Sequence, residues 1–233
     1  MLAIRRFGKL SAAEALLLHA AHKGEFAVCG PTSKSDDQAN NPSKADSWGP
    51  ERVIRGELIR WLCVDQAAYI LVDSRGIGIF AAKITGKIDL SYVTVLFPVQ
   101  LFQCRLTDDA KLTHTRIPEF VLIGTRTRCL LAEGAEVKGN VILQNSFFAG
   151  EVRLIGAQIG NTLNCEGSTF SNSTDSAGCS DQGEEDSRGK AIRTDHIKVE
   201  SGIFLRKGFR ADGAVLLKIF NDMEKIKKIW CRH

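Results

Sequence analysis

The sequence is poor in the motifs that carry chemistry. Its seven cysteines (Cys29, Cys63, Cys104, Cys129, Cys165, Cys179 and Cys231) are widely spaced and form no CxxC pair, so no dithiol redox motif is present. An odd number of cysteines in a chain of 233 residues argues against a disulfide framework, and reduced, mostly buried thiols are the expectation. No GxGxxG follows a strand-like run, which excludes the dinucleotide-binding fingerprint. No apolar run reaches membrane-spanning length. The apolar stretch Ala12–Ala21 contains Glu14 and His19 and is short for a membrane span, and no secretory signal is legible at the start. A cytoplasmic location is the default expectation.

Charge of one sign is also lacking. The net charge is +4, with charged residues at 25%. Basic residues concentrate only in the tail, where Lys218, Lys225, Lys227, Lys228 and Arg232 outnumber Asp222 and Glu224. Acid concentrates in residues 171–189 through Asp175, Asp181, Glu184, Glu185 and Asp186. Without a basic face on the body, a nucleic-acid partner is not expected.

Glycine is abundant at 21 and proline scarce at 5. With 44% hydrophobic residues the chain can bury a sizeable core. Residues 10–28 read as a helix capped by Ser11, with Glu14 at the capping-box spacing and Gly24 as terminator. Residues 30–50 are polar and turn-rich, a linker that need not pack, with Trp48 as a candidate anchor. Residues 51–62 read as a second helix, with Val53, Ile54, Leu58, Ile59, Trp61 and Leu62 as its apolar stripe. This gives an N-terminal helix in 1–29, a linker in 30–50 and a helical lead-in over 51–71.

From about Val72 to Leu217 the texture changes to short alternating runs bounded by Gly, Asp, Asn or Ser. Residues 82–90 (AKITGKIDL) and 135–143 (AEVKGNVIL) share one pattern, 157–165 (AQIGNTLNC) repeats it with the glycine shifted by one, and 196–205 is looser. The second and third copies lie 22 residues apart, one turn of a four-sided coil. Residues 147–154 and 209–217 pair as a second repeat, Phe147 on Phe209, with one residue inserted in the later copy. Self-similarity at this period indicates a solenoid, because one coil cannot bury its own apolar row. The expectation is an all-β solenoid, a single-stranded β-helix with N-terminal helices and a short C-terminal helix. Ile84, Leu90, Val137, Leu143, Ile159, Cys165 and Leu205 are its predicted core, and glycines its corners. A sandwich or barrel also accommodates short strands and turns, but does not call for internal repetition.

This pattern resembles the pentapeptide-repeat-like proteins, which form right-handed quadrilateral β-helices. It is most similar to a bacterial group of uncharacterised β-helical proteins, some labelled membrane-associated oxidoreductase. The similarity runs through residues 55–62 (RGELIRWL), 73–79 (DSRGIGI), 150–160 (GEVRLIGAQIG) and 163–170 (LNCEGSTF). The chain departs from that group at the polar insertion 171–189 and after Leu217, where it leaves the repeat. No residue here carries the oxidoreductase label, and the acidic DNA mimicry of some pentapeptide-repeat proteins does not suit a net charge of +4.

Candidate sites are few. His19 and His22 lie three apart on one helix but lack a third metal ligand. Cys104 and Cys165 fall at packed coil positions, and Cys179 among acids that blunt a thiolate. Asp108 and Asp109 form a turn rather than an acid pair across a groove. No catalytic residue, metal or cofactor is assigned. In the tail, Ile219, Met223, Ile226 and Trp230 recur at helical spacing flanked by Lys225, Lys227 and Lys228, either a cap on the last coil or a contact for a partner or membrane surface. A non-catalytic scaffold or protein-binding module is the expected function. Its alternatives are an enzyme acting on a carbohydrate or small molecule, and a peripheral membrane protein anchored by the tail. Oligomerisation through an exposed solenoid end is a further expectation.

Overall fold

The computed structural model describes residues 2–172, 179, 189–218 and the backbone of 229–231. Its strands are parallel and fall into four sheets. Sheet I runs in the order Phe26–Val28, Ile77–Phe80, Val99–Phe102, Phe120–Ile123, Val141–Ile142, Thr162–Asn164, Gly202–Leu205 and Ile229–Cys231. Sheet II starts at Val53–Arg55 and Lys83–Thr85 and ends at Arg210–Asp212. Sheet III starts at Ile88–Asp89 and ends at Ala214–Leu216, and sheet IV runs from Arg116–Ile117 to Lys198–Val199. The chain visits the sheets in rotation, and each strand pairs with the strand one round earlier. Ile77, Val99, Phe120, Val141 and Leu163 are thus register partners on successive rounds, 21 or 22 residues apart. This parallel, rotating topology fits a solenoid of the β-helix kind.

The core is the column enclosed by the four sheets. Ile84, Leu90, Val137, Leu143, Ile159, Cys165 and Leu205 are all buried in it. Phe148 and Phe170, register partners on consecutive rounds of sheet II, stack with centroids 4.8 Å apart and planes 4° apart. That separation equals the spacing of paired strands, so the rings follow the backbone ladder.

The corners differ from a rule of glycines. Between sheets I and II the left-handed residues are Ala81 (φ 56°), Gln103 (51°), Gly124 (59°), Asn145 (52°), Gly167 (69°), and Lys207 (54°) with Gly208 (91°). Between sheets III and IV they are Tyr92, His114, Gly134, Gly156 and His196. Asn and His tolerate this region better than most residues, and the interstrand ladder holds the others there. Gly160 serves another purpose: a Cβ there would meet the Lys138 carbonyl oxygen at 2.1 Å.

Four helices cover one end: α1 (Leu2–Phe7), α2 (Ala12–Lys23), α3 (Gly56–Val64) and α4 (Gln66–Tyr69). Ser11 and Glu14 form the reciprocal capping box, and Gly24 closes α2 in the left-handed region. The expected helix over 10–28 therefore ends early, and Phe26–Val28 joins sheet I instead. The expected helix over 51–62 is corrected likewise. Val53–Arg55 is a strand in register with Lys83–Thr85, which stacks Ile54 on Ile84, and the helix starts at Gly56.

Other expectations also change. The 30–50 segment packs: Asn40 and Ala45 are buried, and the Arg52 guanidinium donates to the Ala81 and Ala39 carbonyls while lying 3.5 Å from the Trp48 ring centroid. The Phe147–Phe209 repeat shifts by one, because the sheet II register joins Phe147 through Thr169 to Arg210. The chain does not leave the repeat at Leu217 for good. Ile229–Cys231 returns as a strand on Gly202–Leu205, which corrects a helix extending through Trp230. Ile219, Met223, Lys225, Ile226, Lys227 and Lys228 lie outside the described residues. Cys129 and Cys179 are joined by a disulfide, against the expectation of reduced thiols.

Candidate functional site

On a fold of parallel sheets around one core the outward side chains carry any recognition, and the four sheets differ there. Sheet III carries a largely buried network of charge. Glu151 is fully buried and takes ion pairs from Arg153 (2.6 Å) and Arg193 (3.1 Å), and Arg153 also reaches Glu133 (3.1 Å). These residues adjoin the Cys129–Cys179 bridge, since Cys179 Sγ lies 4.0 Å from the Glu151 carbonyl. Gly150 is required beside the bridge, because a Cβ there would meet Cys129 Sγ at 2.6 Å. Sheet IV is polar, with an exposed Arg116–Glu136 pair. Sheet II carries Lys83, Arg105 and Arg126 in one outward row. Lys83 is paired with Asp46, and Arg126 lies 4.0 Å from the Phe147 ring centroid.

Sheet I is different. Its inward positions, among them Ile77, Ile79, Val99, Leu101, Phe120 and Leu122, are buried. Alternation sends the intervening residues outward. One outward row reads Phe26, Gly78, Gln100, Val121 and Ile142, and the next Val28, Phe80, Phe102 and Ile123. None is charged. Phe26, 44% exposed, lies over Gly78 and meets Phe102 edge-on with centroids 5.2 Å apart. Charge flanks the stripe at Glu119, which precedes Phe120 in the same alternation and accepts from the Asn140 side-chain amide, and enters on later rounds through Glu166 with Arg206 and Lys207. The result is an uncharged, largely apolar stripe across five strands, in which Gly78, Phe80 and Val121 are buried and Phe26, Val28, Gln100, Phe102, Ile123 and Ile142 are partly or fully exposed. Its sequence signal is apolar residues at both parities in 77–80 and 120–123, the mark of a strand apolar on both faces.

The residues singled out by sequence do not assemble into one site. Asp109 is buried against the Arg128 guanidinium (2.8 and 2.9 Å), while Asp108 accepts from the Thr107 hydroxyl. Burial pushes the thiols of Cys63 and Cys104 up to about 12 and that of Cys29 to about 11, and raises Cys165 further. None of these four is a ready thiolate. His19 and His22 share a face of α2 and line an apolar cleft of about 420 Å3. Among the described residues no group of three or more His, Cys, Asp or Glu is placed to hold a metal ion. No helix among them is long and apolar enough to cross a membrane.

No family model, characterised protein or solved structure matches the chain.

Proposed function

We propose that this chain is a non-catalytic scaffold of the pentapeptide-repeat-like kind, a right-handed quadrilateral β-helix that binds a protein through the outer face of sheet I. The observation that carries this reading is the uncharged outward stripe from Phe26 to Ile142, set among faces that bear charge. Apolar positions rimmed by polar ones are how a protein surface gains affinity without covalent chemistry. The acids support the same reading. Glu14, Asp109, Glu151 and Glu166 are each held by an arginine within the fold, so none stands free to act on a glycosidic bond.

The test is a photo-crosslinking amino acid placed singly at Ile142, on the stripe, and at Gln158, on sheet IV. In cells the Ile142 position gives a discrete protein adduct and the Gln158 position does not. Ile123→Lys, with its melting temperature retained, removes the adduct. Equal adducts from both positions, or an adduct indifferent to Ile123→Lys, would overturn the assignment.

A further inference from the structure

The helical end of the molecule holds a cavity that scaffolding does not use. Leu2 and Ala3 of α1, Leu18, His19, Ala21 and His22 of α2, Trp61 and Leu62 of α3, Ala68 of α4, and the following Leu71 and Val72 surround a space of about 420 Å3. That volume lies within the range of small-molecule sites. The wall is formed rather than protruding: Ala3, Ala21, Trp61, Leu62 and Ala68 are 1–7% exposed. Its composition is one-sided. No aspartate or glutamate lines it, and its only ionisable side chains are the two imidazoles. The nearest turn of α1 adds Arg5 and Arg6 and no acid. The adjacent Asp73 is engaged by Arg75 at 2.9 Å.

His22 is held by a hydrogen bond to the backbone. Its Nδ1 lies 2.9 Å from the Leu71 carbonyl oxygen, which can only accept, so the proton sits on Nδ1 and Nε2 is the free pole. Neutral, that nitrogen accepts from a carboxylic acid; protonated, it donates to a carboxylate. An apolar cleft with an imidazole nitrogen at its rim, whose nearest carboxylate, Asp73, is already held by Arg75, fits a molecule with an apolar body and one acid group.

We propose that this cavity binds a monomeric fatty-acid-type carboxylic acid, its chain against Leu18, Trp61, Leu62 and Ala68 and its carboxyl group at His22. A bilayer surface fits these features less well, because Trp61, Leu62 and Ala68, against which the chain would lie, are buried in a concave wall, although Leu2 and Leu71 at its rim are exposed.

Trp61 in the wall supplies the readout. The full chain is titrated with a terminally brominated medium-chain fatty acid, whose bromine quenches indole fluorescence on contact. Saturable quenching is expected, and Trp61→Phe abolishes it although Trp48 and Trp230 remain. Ala68→Phe fills the cavity and weakens binding by about tenfold or more, a difference readily read in a titration. Should Ala68→Phe not fold, Val72→Phe at the partly buried rim reads the same contact. The alcohol of equal length binds more weakly than the acid, and His22→Gln erases that preference. The proposal is overturned by absence of saturable quenching, by quenching that survives Trp61→Phe, or by folded cavity-filling variants that bind like the parent. It is equally overturned if vesicles of brominated phospholipid quench Trp61 as well as the free acid does. None of these readouts depends on the outer face of sheet I, so the two assignments stand or fall separately.

Discussion

The amide of Thr125 donates to Ser146 Oγ over 3.1 Å, and the same hydroxyl donates to the Leu122 carbonyl over 3.1 Å. This is one rung of a buried ladder. The amide of Cys104 donates to Thr125 Oγ, the amide of Ser146 to Ser168 Oγ, and the Thr125 hydroxyl to the Leu101 carbonyl. Hydroxyls therefore occupy a corner of the core where the ladder of backbone bonds leaves amides to satisfy. Ser146→Ala leaves the Thr125 amide and the Leu122 carbonyl without this partner in a dry site. The expected loss is about 1–3 kcal/mol by urea denaturation. An unchanged midpoint would show that the hydroxyl ladder contributes nothing.

The stacked rings of Phe148 and Phe170 fill the neighbouring core. Phe148→Ala opens a cavity between two rounds that the flanking strands cannot close without breaking register. A loss of about 3–5 kcal/mol is expected, with Phe148→Leu costing visibly less. Equal costs for the two substitutions would mean that the space collapses.

The bridge between Cys129 and Cys179 spans a sequence separation of 50. Closing a loop of that size stabilises a fold by about 2–4 kcal/mol, so Cys129→Ser or reduction lowers the unfolding midpoint correspondingly. Mass spectrometry after alkylation of the oxidised protein should leave this pair unlabelled, and Cys63, Cys104 and Cys165 should label only on unfolding. A bridge of this kind is at odds with a reducing compartment, the default reading of the cysteines. Rapid labelling of Cys129 in freshly prepared native protein would contradict it.

Glu14 ties the helical end to the coils. Burial alone would raise its carboxyl, but hydrogen bonds from Arg55 and Ser11 and the guanidinium charge outweigh that and hold it below the ordinary value of 4.5. A lowered carboxyl contributes stability above its unfolded value and loses it as pH falls through the folded one. The stability gap between the parent and Glu14→Gln is therefore widest near neutrality, about 2 kcal/mol or more for a buried carboxylate with a single arginine partner. It narrows as the solution is acidified below about pH 4.5. A gap independent of pH would assign the effect to packing.

Much of the coil was legible because its physics is local. The recurrence at 135 and 157 marks two consecutive rounds in register on sheets IV and I, whereas residues 82–90 lie on sheets II and III and are not their equivalent, although Ile84, Val137 and Ile159 all face inward. The capping box of Ser11 and Glu14 was equally readable. What escaped depends on distant partners. Val53 and Ile54 have the spacing of a helix, yet their burial comes from Lys83–Thr85 beneath them. Corners at Gln103 or His114 carry no glycine signal, because the ladder on either side holds the backbone there. Pairing of Cys129 with Cys179 is invisible in spacing alone. The apolar outer stripe was present as runs without alternation, but a strand buried on both faces reads the same way. The cavity required four helices to be assembled before its wall existed.

The polar stretch after Ser171 interrupts one round, yet Phe170 keeps its place on Phe148 and Ile192 its place on Val152. Register in this architecture is set by the neighbours above and below, not by the length of chain between consecutive corners. The junction of sheets II and III can therefore take on foreign polypeptide without rewriting the rest. Lineages of such proteins can acquire new side loops there, and an engineer can graft an epitope at the same point while the barrel of side chains beneath stays intact.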